Sequence, residues 1–372
     1  MEDEGLDTLD DLADEIIDRT EISMRKAIEK ITNGTYAHEG IIEGAGNKPD
    51  IPIKLTVNVD GSNIHVDFDG TSKQVDWGVN VVYNFTYAYV FMAIKSAFDP
   101  GIPINEGAIR PITMTAPEGS IVNCTFPAAV AARMVVGHFM TEMVFNALAK
   151  AAPDNIIAGS GGTPAQTNIF HGSFASGKPW HTMIIRGGGM GASSKFDGHH
   201  CAIFPANGAN TPVEILESDT TMIVESRSLV QDSGGPGKQR GGIGRQMIIR
   251  SPDEGENSVG TTSIAVQAGR YIYPPDGIFG GKDGSKAKFL KNGETADPSG
   301  LTFCDPGDRI SFVSAGGGGY GDPFKRDPEA VKRDVEYGYV SVEKAEQDYG
   351  VIIEPDSLEL DLTATLQLRE NK

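Results

Sequence analysis

A mixed α and β fold (α+β), with a glycine-rich β-sheet core and buried helices, is what this sequence predicts. Three observations lead there. Glycine occurs 46 times in 372 residues, where an average usage of about 7% would give roughly 26. The runs 53–59 (IKLTVNV) and 64–68 (IHVDF) alternate apolar and polar residues around an Asp60-Gly61 turn, as a β-hairpin does. Two long, mostly apolar stretches, 79–98 and 128–151, exceed strand length and predict buried helices.

The elements follow in order. Leu9, Leu12, Ala13, Ile16 and Ile17, then Ala27, Ile28 and Ile31, recur at three- and four-residue steps and predict a helix. Its acidic residues come early and Arg25, Lys26 and Lys30 come late, matching the helix dipole, and Asn33-Gly34 stops it. The hairpin follows, then the first buried helix, which Asn80, Asn84 and Lys95 mark as not membrane-spanning. Pro100, Pro103, Pro111, Pro117 and Pro127 punctuate an extended, ordered stretch with Ile104, Ile109, Ile112, Met114 and Ile121 to bury. The second buried helix ends before Pro153. Short strands split by glycines run on to about Gly321. Asp327-Pro328-Glu329 starts a helix that Gly338 stops, and Ser341 caps another that Gly350 stops. The last residues, 355–372, are charged and expected to fray. Four segments result: a helical segment (1–50), the hairpin with buried helices (51–152), a glycine-rich β domain (153–325), and C-terminal helices with a tail (326–372).

Composition narrows the function. The chain is 39% hydrophobic and 22% charged, enough to bury a core. Its net charge of −19 repels nucleic acid and anionic membranes, which excludes both as partners. Cys124, Cys201 and Cys304 are odd in number and form no CxxC pair. They give no zinc signature and fit a reducing compartment. There is no apolar run of about 18 residues. The opening MEDEGLDTLDD is acidic, unlike a signal peptide. A cytoplasmic location is expected.

Five places carry candidate chemistry, each with a plain structural alternative. In RGGGMGA (186–192), Gly188 and Gly189 offer backbone amides to an anion; alternatively the run is a strand end needing positive φ. Asp197-Gly198-His199-His200 is the densest titratable set, suited to proton transfer or metal binding. Adjacent histidines on a strand point apart, so the alternative is one structural and one exposed ring. In DSGGPGKQRGGIG (232–244), Asp232 is a titratable candidate, and Lys238 and Arg240 suit an anionic group. The run lacks the ending of a phosphate loop, so a rigid glycine-built turn is its alternative. AGGGGYGDP (315–323) can lie against another backbone or a ligand. Arg133, read as inside an apolar helix with His138, is costly there unless paired, which makes it a site candidate or half of a buried ion pair. Catalytic candidates are therefore Asp197, His199 and Asp232. Arg133, Gly188, Gly189, Lys238 and Arg240 are the candidates for holding substrate or anion. No metal ligand or cofactor-binding residue is assigned.

Taken together, several strings resemble the hydantoinase B/oxoprolinase family: VDFDGTS (66–72), IPINEGAIRPITMTAPEGSIVN (102–123), FPAAV (126–130), RGGGMGA (186–192) with DG (197–198), DSGGPGKQRGGIG (232–244), GGGGYGDPFKRDPEAVKRDVEYGYVS (316–341) and YGV (349–351). They occur in the family's order across nearly the whole chain. The family includes N-methylhydantoinase and 5-oxoprolinase parts and relatives among acetone and acetophenone carboxylase subunits.

The resemblance implies one subunit of a two-part enzyme. A hydantoinase A-type partner with an actin-like fold would use ATP and magnesium to phosphorylate a carbonyl or enol oxygen. The B-type part would then hydrolyse a cyclic amide or, in the carboxylases, join an activated ketone to carboxyphosphate or carbon dioxide. A non-catalytic assembly subunit is the third reading. Family members also begin with a section of NDPY-like, GGTHLPD-like and HHADVGG-like motifs, thought to supply Asp and His ligands to a divalent metal (zinc, manganese or iron). None of these strings occurs here, and His199-His200 is followed by Cys-Ala. The expectation is a hetero-oligomer with a further chain carrying that section and its metal, with exposed apolar patches on this chain where it associates.

Overall fold

The computed structural model describes residues 8–44, 46–164, 166–253 and 262–371; the acidic opening residues 1–7 lie outside them. The fold is mixed α and β. The chain's contacts divide it into two units, one of Met1–Ile41 with Pro52–Ile156, the other of Ile42–Ile51 with Ile157–Lys372.

In unit 1, helix α1 (Asp10–Ile28) ends short of Ile31 and of the Asn33-Gly34 stop signal. The next element is a strand, β1 (Gly34–Ile42), not more helix. Its side chains alternate between half-buried and exposed, and His38 and Glu39 keep it too polar to read as a strand in the sequence. It joins β2 (Ile51–Asp60), β3 (Asn63–Asp67) and β4 (Ile112–Thr115) in the order β1-β2-β3-β4. β2 and β3 form the expected hairpin, turned at Gly61, whose φ is +56°. Ile51, Ile53, Leu55, Val57 and Val59 point from β2 into the core, because side chains two apart share a face. The proline-rich stretch supplies β4 and a short helix α3 (Glu106–Ile109), capped by the Asn105 carboxamide. Helices α2 (Tyr83–Phe98) and α4 (Met134–Leu148) pack on each other, and α4 is buried along almost its full length. Both start later than the apolar runs suggest.

Unit 2 holds two sheets. One has the order β11-β10-β13-β8-β7, from β7 (Ile223–Leu229), β8 (Arg245–Arg250), β10 (Lys288–Lys291), β11 (Glu294–Thr295) and β13 (Arg309–Val313). The other has the order β12-β9-β5-β6, from β5 (Thr167–Ser173), β6 (Pro179–Ile185), β9 (Thr262–Gln267) and β12 (Leu301–Cys304). Phe170, Ile184 and Ile264 of one sheet meet Met247, Phe289 and Phe312 of the other in a single apolar cluster. The Phe170 and Phe312 rings meet edge to face at 5.9 Å. A short helix, α5 (Val213–Asp219), interrupts the region that reads as strands alone. Toward the C-terminus, α6 (Pro328–Glu336) and α7 (Val342–Tyr349) take the expected caps, Asp327 and Ser341. The tail expected to fray instead forms α8 (Leu362–Glu370), capped by Asp361. Arg369 ties it down by donating to the Tyr349 carbonyl at 2.9 and 3.0 Å.

Within unit 2 the glycine-rich segments pack as extended chains, backbone against backbone. The N–H groups of Gly317, Gly318 and Gly319 donate to three different segments, at Gly242, Gly159 and Lys282. An added Cβ at Gly316, Gly317, Gly318 or Gly319 would meet the carbonyl oxygen of Ser233, Met190, Asp276 or Pro236, at 1.7 to 2.2 Å. Positions 316 and 319 thus face the same segment, and the two between face others. That is a path of three residues per turn, surrounded on every side, and not a two-faced strand. Only glycine fits where each side meets another backbone.

Candidate functional site

Loop 197–200 is fixed on this glycine packing. Gly198 donates to the Arg240 carbonyl, and a Cβ there would lie 1.9 Å from the Met190 oxygen. Asp197 receives both Arg326 terminal nitrogens, each at 2.7 Å, and the Arg240 backbone N–H at 2.7 Å. Arg326 also donates to Asp334 at 2.8 and 3.1 Å, and Arg240 pairs with the other Asp334 oxygen at 3.2 Å. Burial acts to raise the Asp197 carboxyl, but the Arg326 bonds and the two guanidinium charges outweigh it and hold it below the ordinary value. These four residues form a closed, alternating ion network. The Arg240 guanidinium lies over the Tyr339 ring at 5.2 Å.

The two histidines part. His200 Nδ1 accepts the Ile243 N–H at 3.0 Å, so the neutral ring carries its proton on Nε2. That ring lies 4.5 Å from Tyr339, and burial, with Arg240 next, lowers its pKa. His199 is exposed. It lines three adjoining cavities: one of 530 Å³ with Ile157, Met190, Phe196 and Asp197, one of 370 Å³ with Arg240, Arg326 and Tyr339, and one of 300 Å³ with Cys201 and Phe204. The arrangement presents an unencumbered imidazole on a rigid loop, between apolar walls and a charged one. It can exchange a proton with a group in any of the three.

The other sequence candidates fall elsewhere. The N–H groups of Gly188 and Gly189 are spent on the Ala202 and Ala315 carbonyls, so these buried amides have none left for an anion. Neither has the positive φ of a strand-end turn. Asp232 does (φ 61°), and its carboxylate accepts the Ser341 N–H at 2.7 Å, which pins the start of α7. Lys238 is exposed, its N–H bonded to the Gly321 carbonyl, and it lines none of the three cavities. Arg240 is buried and structural. Arg133 belongs to unit 1. It is exposed at the start of α4, not inside it, 5.4 Å over the Phe85 ring. Arg326, Asp334 and Tyr339 escaped the sequence reading. Arg326 and Asp197 stand 129 positions apart, and no spacing rule links them.

Among the described residues no three His, Cys, Asp or Glu side chains converge as a metal site. These residues therefore do not fit a resident divalent metal. No helix among them is long and apolar enough to cross a membrane.

A family model described as hydantoinase B/oxoprolinase matches residues 1–323. The B component of a putative D-/L-hydantoinase of Pseudomonas sp. (strain NS671) is 34% identical, covering 98% of this chain and 63% of that protein. The beta component of the caprolactamase of Pseudomonas jessenii is 27% identical, covering 97% of this chain and 64% of its own. The chain thus spans less than two thirds of the length of these relatives. The crystal structure of the ATP-dependent caprolactamase from Pseudomonas jessenii superposes with a TM-score of 0.86 at 26% identity, over 98% of this chain and 65% of that one. A nucleotide-free acetone carboxylase structure shares the fold, with a TM-score of 0.79 at 19% identity over 95% of this chain and 54% of that one.

Proposed function

The chain belongs to the hydantoinase B/oxoprolinase family, and from that premise we propose that it is a subunit of an ATP-dependent enzyme that hydrolyses a cyclic amide. The observation that carries the reading is the 34% identity with the B component of a putative hydantoinase along 98% of this chain. The site accords with it. Ile157, Met190 and Phe196 give the 530 Å³ cavity an apolar wall for a ring's carbon skeleton. His199, at its rim, is the group that exchanges a proton with the ring nitrogen or the attacking water. Asp197, Arg240, Arg326 and Asp334 hold the His199 loop in place and are positioning residues.

An unstrained amide is a poor electrophile, and phosphorylating its oxygen supplies a leaving group. In this reading a hydantoinase A-type partner performs that step with magnesium and ATP. The complex is a hetero-oligomer. Free thiols at Cys124, Cys201 and Cys304 support a reducing, cytoplasmic setting.

The test is co-expression with the genomic neighbours, followed by assay of ATP-dependent opening of hydantoin, 5-oxoproline and caprolactam. Ring opening coupled to ADP release is expected. No turnover of any such ring contradicts the reading, and bicarbonate-dependent ATP hydrolysis with acetone or acetophenone replaces it with a ketone carboxylase.

A further inference from the structure

Three arginines of unit 2 make no ion pair with a carboxylate among the described residues. Arg186 is 1% exposed, bonds to Gln166 at 3.3 Å and Ser314 at 3.5 Å, and sits 4.9 Å from the Phe312 ring centre. Arg245, the first residue of β8, is 6% exposed. One of its nitrogens donates to the Asn210 side-chain oxygen at 2.5 Å. Its Nε and Nη2 are buried without a protein partner, and so is Nε of Arg227 on β7. In the β7–β8 register Arg227 lies opposite Met247 and Leu229 opposite Arg245, so both arginines stand on one face of the sheet, diagonal to each other.

Among the described residues the groups that offset the Arg186 and Arg245 charges are the Tyr271 hydroxyl and the Cys201 thiol. Burial, then the charges of Arg227 and Arg186, brings Arg245 down to about 10, and the sole acidic group acting on it is the Cys201 thiol. Burial raises that thiol in turn, while Arg245 and Arg227 both pull it back. Cys201 itself stands beside the residues that lead into β8, its backbone N–H donating to the Ile243 carbonyl at 3.2 Å. Cys201 also lines the 300 Å³ cavity, together with His199 and the segment up to Gly208.

Buried guanidinium N–H groups are costly unless an acceptor meets them, and a planar fork of donors matches a carboxylate or phosphate. We propose that Arg227 and Arg245, beside segment 201–210, form a binding site for an oxyanion, a carboxylate or a phosphate, entered from the cavity that Cys201 lines. The site stands on these residues alone and does not depend on the ring-opening reading.

Thermal unfolding of the full chain, titrated with inorganic phosphate and separately with acetate at constant ionic strength, tests it. A saturating rise in Tm is expected with at least one of them, since a ligand bound only to the folded chain stabilises it in proportion to ln(1 + [L]/Kd). The anion that gives the rise identifies the ligand class. R245M and R227M should fold, because Arg245 is a buried cation without a counter-ion and Arg227 is only half-buried, and both should lose the rise. No saturating rise with either anion, or an equal rise in both variants, overturns the proposal. If neither variant folds, wild-type labelling decides. Peptide mass spectrometry should find a several-fold higher ratio of iodoacetate to iodoacetamide labelling at Cys201 than at Cys124, lowered by phosphate. Equal ratios at the two cysteines, untouched by phosphate, overturn it as well.

Discussion

Gly317 has no room for a methyl group: an added Cβ would lie 2.0 Å from the Met190 carbonyl oxygen. Neither backbone can yield without breaking its own hydrogen bonds, so G317A should cost about 3 kcal/mol or more in urea unfolding. At Gly300 nothing lies within 4 Å, and G300A should stay within about 0.5 kcal/mol of wild type. Two other residues contribute to the response to acid, beside the similarly depressed His38 and His200. Burial lowers His138 to about 4. Its folded pKa is below the unfolded value, so its contribution is complete above about pH 6.5 and is lost as the pH falls toward 4, by about 3 kcal/mol. Asp197 is also depressed, but as a carboxylate its contribution is present above about pH 3.9 and is lost only below that. Stability measured against pH should therefore fall in two windows. H138Q should reduce the fall in the upper one and D197N that in the lower. A single fall with both variants unchanged would contradict this assignment.

Helix α6 is fastened to the glycine loops through Asp334, whose oxygens serve Arg326 and Arg240. D334N should leave two buried guanidinium groups short of charge and cost about 3–5 kcal/mol by chemical denaturation. A cost under about 1 kcal/mol, the usual worth of a surface pair, would mean the network is solvated. The ends of α6 and α7 were legible because caps act locally: Asp327, Ser341 and Gly350 each act within a turn of their own position. β1 was not, since half its side chains meet water and its pairing with β2 is a tertiary choice. α8 was not either. It is held by Arg369 on the Tyr349 carbonyl and by the buried Thr365 hydroxyl on the Ile352 N–H, contacts between distant segments that no local signal carries.

At the scale of the whole molecule, composition pointed to the right class of fold, and the glycine excess pointed to close backbone approach. What it could not show was that RGGGMGA, DSGGPGKQRGGIG and AGGGGYGDP meet one another. Read alone, the first two runs resemble anion loops and the third a surface for another backbone or a ligand. In the fold many of their amides bond to one another or to further backbone segments, as Gly189 does to Ala315, Gly317 to Gly242 and Gly318 to Gly159, which leaves the histidine they display as the exposed chemistry. Loop 197–200 was legible as a dense titratable set. The ion network behind it was not, because its members come together only when α6 docks. The most direct test is turnover of the reconstituted complex carrying H199A. His199 is exposed and braces nothing, so the melting temperature should stay unchanged while ATP-dependent ring opening falls at least tenfold, as the loss of a proton-transferring group requires. Wild-type turnover in H199A would contradict the account.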